Sequence, residues 1–322
     1  MKQLIFLKPT FQKRIWGGTK LKETYQYNIP SDQTGECWAI SAHANGQSVV
    51  REGILESKAL GEIWTEHPEL FGNFNSDRFP LLTKILDAND DLSVQVHPND
   101  KYAKVNENGE LGKTECWYII DCDEDADMIF GHHAQSKDEF IQLVNEGKWE
   151  NLLQRIKIKP GDFFYVPSGT IHALCKGTLV LETQQSSDTT YRVYDYDRLG
   201  QDGKLRELHL EKAIEVTSVP HTVQNTLPTI TKQPGGTVTT YVNEEYFSVY
   251  KWEVESSLQL TQDKHFILCS VIRGNGHIQT EEGNFKIENG DHFILPYEMG
   301  SLTIEGNVQI IASHPNNGGT QQ

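Results

Sequence analysis

The sequence predicts an all-β protein in which one β unit has been used twice. Three observations carry that prediction. Short apolar runs with strand alternation recur along the chain: "SVQV", "CWYII", "DFFYVP", "YFSVYKWEV", "FILCSVI", "HFILP" and "VQIIAS". Gly, Asp, Asn and Pro punctuate them in the manner of a sandwich or barrel. "KIKPGDFFYVP", beginning at Lys157, returns as "KIENGDHFILP" at Lys286, an offset of 129 residues that marks a duplicated supersecondary unit.

Taken in order, "KQLIFLKP" opens as a strand, and "SKALGEIWTEHPELFG" then puts Leu60, Ile63 and Trp64 on one helical face. Strands follow at "SVQV", "CWYII" and "ADMIFG". "SKDEFIQLVNEG" opens a helix with Ser136 and Glu139 at capping-box spacing. "DFFYVP" and "TLVLETQQ" are strands, and "LHLEKAIEV" is a third helix. Around 218–240 the chain turns polar and rich in Thr and Pro, which marks a linker. The expected division is 1–225, with small helices, and 226–322, made of strands.

With 322 residues the chain is long enough for a sizeable core. Its net charge of −16 argues against nucleic acid or an anionic membrane as partner. An anionic small substrate then requires a local cluster of Lys and Arg. The sequence has no apolar run of roughly 18 residues and no signal-peptide pattern, so a soluble, cytoplasmic protein is expected. The five cysteines are scattered without a C-x-x-C pair, and are read as reduced and mostly buried. No feature of the sequence sets an oligomeric state.

"LSVQVHPND" carries the first sign of chemistry. Residues two apart in a strand share a face, so Gln95 and His97 project together while Val94 and Val96 face a core. Glu115 begins another strand, and His172 ends "PSGTIH". Two imidazoles, a carboxylate and an amide oxygen suit one divalent metal with a position left for substrate. A lone His is usually a hydrogen-bonded core or loop residue. Here the repeat argues otherwise, because in the second copy His172 falls on Ser301 and Glu115 falls near Ile267. The first copy has kept polar groups that the second lacks. The remaining histidines, among them His132, His133, His221 and His292, lack partners at ligand spacing and are read as surface or structural. Trp16, Trp117 and Tyr191 are read as core.

"GDFFYVPSGTIH" (Gly161 to His172) matches the second cupin motif, and "QVH" with Glu115 resembles a stretched first one with Gln for its first His. More narrowly, "WGG", "QVHPND", "KTE", "VPSGTIHAL" and "SSDTTYR", in that order, resemble type I mannose-6-phosphate isomerases of the short bacterial form. The resemblance implies two cupin (jelly-roll-like) β-barrels, the second degenerate. It also implies zinc-dependent interconversion of mannose 6-phosphate and fructose 6-phosphate through an enediol. The family's zinc ligands fall on Gln95, His97, Glu115 and His172, one ion per chain. Its active-site arginine falls on Arg192, its acidic residues on Glu182 and Asp188, and its lysine on Lys113. Arg198 stands where the family has a lysine and is expected, with Lys113 and Arg192, to bind the substrate. The family's His beside that lysine has no counterpart in "GKTE", and the long helical domain of larger members is absent. Lys113, Glu182 and Asp188 all remain open as the base. Two rivals are an iron-dependent cupin oxygenase and a non-enzymatic sugar-phosphate-binding cupin. The Gln-for-His replacement and the basic residues oppose the first, and the retained ligands oppose the second.

Overall fold

The computed structural model describes residues 3–200, 202–224 and 226–316. Strand dominates, as expected. In the first half a five-stranded sheet contains Leu153–Lys157, Asp127–His132, His172–Leu174, Val94–Val96 and Tyr191–Tyr194, in that spatial order. A six-stranded sheet runs Phe163–Val166, Glu115–Cys122, Thr178–Gln185, Leu81–Ala88, Thr34–Ile40 and Thr10–Gly18. The two are joined by a shared core of Leu86, Trp117, Ile119, Met128, Leu174 and Val180.

Expected barrels are jelly-roll sandwiches here, since both strand orders are open paths. One reason is visible at the edge strand Tyr191–Tyr194. Its free carbonyl at Arg192 takes the backbone N–H of His209, at 2.8 Å, rather than a strand of the facing sheet.

Behind the five-stranded sheet, Val94 and Val96 pack against Phe140, Val144, Leu152 and Ala213. The helices Lys137–Asn145 and Leu210–Val216 supply most of that cover. Ser136 caps the first, its Oγ accepting from the N–H of Glu139 at 3.2 Å. The helical face around Leu60 splits into an α-helix, Leu60–Glu66, and a 3-10 turn, Pro68–Phe71, because Pro68 has no N–H to continue the ladder. Short helices at Lys20–Tyr25 and Asp100–Asn106 carry too few turns for a periodic signal in the sequence.

The back of the six-stranded sheet (Cys37, Ile85, Tyr118, Leu181) packs on Phe247, Leu268, Ile294 and Ile311 of the second half. That half supplies eight strands of a ten-stranded sheet, completed by Ile5–Lys8 and Val49–Val50 of the first half, with a core of Trp252, Val271, Ile278, Phe293 and Ile304. Two features of the chain path differ from the expected division. The first strand, Ile5–Lys8, pairs with His292–Leu295 and so belongs to the second sheet. The expected linker is partly strand: Thr229–Gln233 and Gly236–Asn243 form a hairpin at that sheet's edge, as their β-branched residues favour. Residue 225, the last of the expected first domain, lies outside the described residues.

Candidate metal centre and active site

Strand register assembles the site from two rows. In the five-stranded sheet Gln95 is paired with His172 on one side and Arg192 on the other. In the facing sheet Trp117, Glu182, Lys84 and Trp38 follow one another across four strands. Period-two alternation adds Glu115 to the face of Trp117 and Glu36 to that of Trp38. The rows border a cavity of about 400 Å³, lined among others by Gln95, Lys113, Glu182, Asp188, Arg192 and Arg206.

His97, Glu115 and His172 offer ligand atoms all within 4.8 Å of one another, and all three are buried. His172 Nε2 lies 3.2 Å from Glu115 Oε1, and His97 Nε2 lies 3.5 Å from Oε2. Gln95 joins through its side-chain amide, 3.3 Å from His172 Nε2. The imidazoles are held in one tautomer. His97 Nδ1 faces the carbonyl of Thr189 at 2.9 Å, and His172 Nδ1 that of Thr170 at 2.8 Å. A carbonyl only accepts, so each Nδ1 carries the proton and each Nε2 turns a lone pair inward. Burial, then the charge of Lys113 and the neighbouring imidazole, holds His97 well below its ordinary pKa. Burial takes His172 down to about 4. Neither oxygen of fully buried Glu115 meets a hydrogen-bond donor of suitable geometry. Two neutral imidazoles that turn lone pairs toward a buried carboxylate suit a divalent cation.

Lys113 Nζ stands beside this group, 2.9 Å from Glu115 Oε2 and 3.1 Å from His97 Nε2. Burial would lower its pKa, but Glu115 and then Glu182 outweigh that and raise it. Glu182 accepts from Trp117 Nε1 at 2.9 Å and lies 3.7 Å from Lys84 Nζ. Burial, followed by the charge of Glu115, raises the Glu182 carboxyl above its usual range. Trp117 also packs edge-on against His172, with centroids 5.2 Å apart, so this core residue touches the site. Asp188 lines the cavity at an exposed position and accepts from Asn45 at 2.9 Å.

Arg192 lines the cavity, with Nη1 donating to the carbonyl of Glu207 at 2.8 Å. Arg198 does not line it. Its Nη2 donates to Asp195 at 2.7 Å, Nη1 to the carbonyl of Asp91, and its guanidinium lies over the ring of Tyr196. Sequence reasoning missed Arg14, Glu36, Lys84 and Arg206, all of which line the cavity. Arg14 grips Glu36 at 2.7 and 3.1 Å, and Lys84 lies 4.0 Å from the same carboxylate. A usable signal existed for two of them: Glu36 in "TGECWAI" and Lys84 in "LLTKILDA" are charges inside otherwise apolar strands.

Comparison with known proteins agrees with this geometry. Residues 4–120 match the family model "Phosphomannose isomerase type I, catalytic domain", and 237–315 match "Mannose-6-phosphate isomerase, cupin domain". The chain is 55% identical to the Bacillus subtilis "Mannose-6-phosphate isomerase ManA", over 96% of this chain and 98% of that protein. It is 50% identical to the Streptococcus mutans "Mannose-6-phosphate isomerase", over 98% and 99%. A crystal structure of the mannose 6-phosphate isomerase from Bacillus subtilis superposes with a TM-score of 0.95 at 56% identity, covering 97% of this chain and 99% of that one. The chain belongs to the type I mannose-6-phosphate isomerases, a metal-dependent family of enzymes.

Proposed function

We infer that the enzyme interconverts mannose 6-phosphate and fructose 6-phosphate, moving a proton between C1 and C2 through an enediol, with one zinc ion per chain. The observation that carries this reading is the buried His97–Glu115–His172 group opening on a cavity lined by basic side chains. Gln95 is the fourth protein group at that point. Bound there, zinc supplies an electrophile for the oxygens on C1 and C2. Zinc is preferred because two neutral imidazole nitrogens and a carboxylate form one of its usual catalytic donor sets.

The chain's own residues do the remaining work. Lys113, held cationic by Glu115 and Glu182, donates hydrogen bonds where negative charge develops. Glu182, with its raised proton affinity, is placed at the metal end of the cavity to hold the migrating proton. Asp188, exposed, orients sugar hydroxyls at the mouth. Arg192, beside Gln95 in the ladder, holds the substrate against the metal group. We place the chemistry in the first 225 residues and a supporting role in the rest. No helix among the described residues is long and apolar enough to cross a membrane. A cytoplasmic location fits a charged sugar phosphate, which stays in the compartment where it is made.

The test is metal removal by chelation, reloading with zinc, and assay of both product formation and exchange of the C2 proton with solvent. The reading requires both activities to vanish and return. Substrate binding without exchange in the zinc-loaded protein would make it a sugar-phosphate-binding cupin instead.

A further inference from the structure

The cations around the cavity are not evenly compensated. At the metal end Lys113 has Glu115, and Lys84 sits between Glu182 and Glu36. Arg14 has its fork filled by Glu36. At the other end Arg192, Arg198 and Arg206 gather around one buried carboxylate, Asp195. Arg206 meets it through Nε at 2.6 Å and Nη2 at 2.5 Å, and Arg198 through Nη2 at 2.7 Å. Arg198 has further acceptors at the Asp91 carbonyl and, 3.6 Å away, Asp90. Among the described residues, the Arg192 guanidinium donates to a carbonyl alone, and its buried Nε meets no acceptor. Asp188, which also lines the cavity, accepts from Asn45 and adds to the charge around Lys113.

Arg206 is held in place through Arg192. The Arg192 N–H donates to His209 Nδ1 at 3.1 Å, its carbonyl accepts the His209 N–H at 2.8 Å, and its guanidinium holds the Glu207 carbonyl. Segment 207–209 is thus laid along the strand that carries Arg192, and Arg206 enters the cavity lining next to it. Burial, and then the like charge of Arg206, lowers the pKa of Arg192. Two guanidiniums line one cavity, the charges of Asp195 and Glu207 offset that of Arg192 only in part, and a dianion would supply the rest.

We propose that Arg206, oriented by Asp195 and paired with Arg192, is the phosphate-recognising residue of this enzyme, and that Arg198 braces Asp195 from outside the cavity. The proposal rests on the sugar-phosphate reading above. A group that contacts only the phosphate on C6 holds ground state and transition state alike, so its loss raises KM and spares kcat.

The experiment uses the full-length, zinc-loaded protein and its Arg206→Ala and Arg206→Gln variants. Gln keeps part of the stem and can still donate to Asp195, so it covers the case in which Ala perturbs the loop. Three quantities are read: binding of inorganic phosphate by calorimetry, steady-state constants with mannose 6-phosphate, and zinc content. The expected result is weaker phosphate binding and a raised KM by a common factor of about ten or more, with kcat within about twofold and full zinc occupancy. Unchanged phosphate affinity in both variants, or a fall in kcat at unchanged KM, would overturn it. Wild-type turnover of mannose 6-phosphate tests the functional reading separately, because the phosphate titration does not depend on turnover.

Discussion

Replacing Lys84 by Met isolates the electrostatics that hold the floor of the cavity. Met keeps an unbranched stem in the strand Leu81–Ala88 and removes the charge that faces Glu182 at 3.7 Å and Glu36 at 4.0 Å. Burial alone would raise the pKa of Glu36; Lys84 and then Arg14 outweigh burial and hold it at about 2, below the ordinary 4.5. That depression corresponds to about 3 kcal/mol of stability at neutral pH, shared between the two cations. Glu182 loses a counter-charge as well, and breaking a buried pair from one side costs about 3–5 kcal/mol. Arg14 remains on Glu36, so about 3 kcal/mol is the expected loss at pH 7. The sign of its pH dependence follows from the depression. Glu36 contributes its stability above the unfolded value of about 4.5 and loses it as pH falls toward 2. The gap between wild type and Lys84→Met should therefore be full at pH 7 and narrower near pH 3.5. Urea denaturation of both metal-free proteins at the two pH values measures it. A gap of the same size at both pH values would mean that Lys84 acts through packing against Trp38, whose ring centroid is 4.8 Å from Nζ, and not as a counter-ion.

His97→Ala and His172→Ala should each abolish zinc binding and activity while circular dichroism still reports a folded β protein, because the core clusters do not pass through the metal group. An unfolded variant at room temperature would make the metal structural. Arg192→Ala should lower kcat by about 100-fold, the scale of losing one preorganised electrostatic group, and raise KM as well because Arg192 flanks Arg206; a change in KM alone would make it a phosphate anchor only. Gly169→Ala should weaken zinc binding roughly tenfold or more, comparable to other supporting-shell losses. Gly169 has φ +86°, its added Cβ would lie 2.6 Å from Ser218 Oγ, and its turn leads into His172. Zinc titration against a competing chelator reads that change, and an unaltered affinity would show that the turn tolerates it.

The metal group was legible because its residues are marked locally. Gln95 and His97 alternate with valines, and Glu115 and His172 sit at strand ends flanked by turn residues. What stayed hidden depends on register between distant strands. Lys84 and Glu182 become neighbours only because Leu81–Ala88 and Thr178–Gln185 pair in one register, and a one-residue slip would place them on opposite faces. The choice between Arg198 and Arg206 was hidden for a different reason. Both lie in one polar loop, and Tyr196 and Asp197 take left-handed φ of 57° and 53°. That local reversal sends Arg198 toward Asp90 and Asp91 and leaves the cavity to Arg206. Side chains other than Gly adopt such angles too rarely for the sequence alone to have announced the turn.

The repeat gains force once register is known. In the first half Phe163–Val166 pairs with the strand that starts at Glu115, setting Val166 opposite Glu115. In the second half His292–Leu295 pairs with the strand that starts at Ile267, setting Leu295 opposite Ile267. Val166 and Leu295 are related by the same 129-residue offset seen in the sequence, so Glu115 and Ile267 are equivalent positions of two ladders. Ile267 belongs to the apolar core of its half, and Ser301, at the offset position of His172, pairs with Thr261 on an exposed stretch of strand. Both copies keep a left-handed glycine at the turn before the paired strand, Gly161 at φ 92° and Gly290 at φ 88°. A glycine that shapes a turn is needed by either half, whereas a buried carboxylate is tolerable only where a cation compensates it. The half that buries Glu115 compensates it with the Lys113 ammonium and leaves the metal to activity, while the half with Ile267 contributes the packed surface on which the back of the catalytic sheet rests.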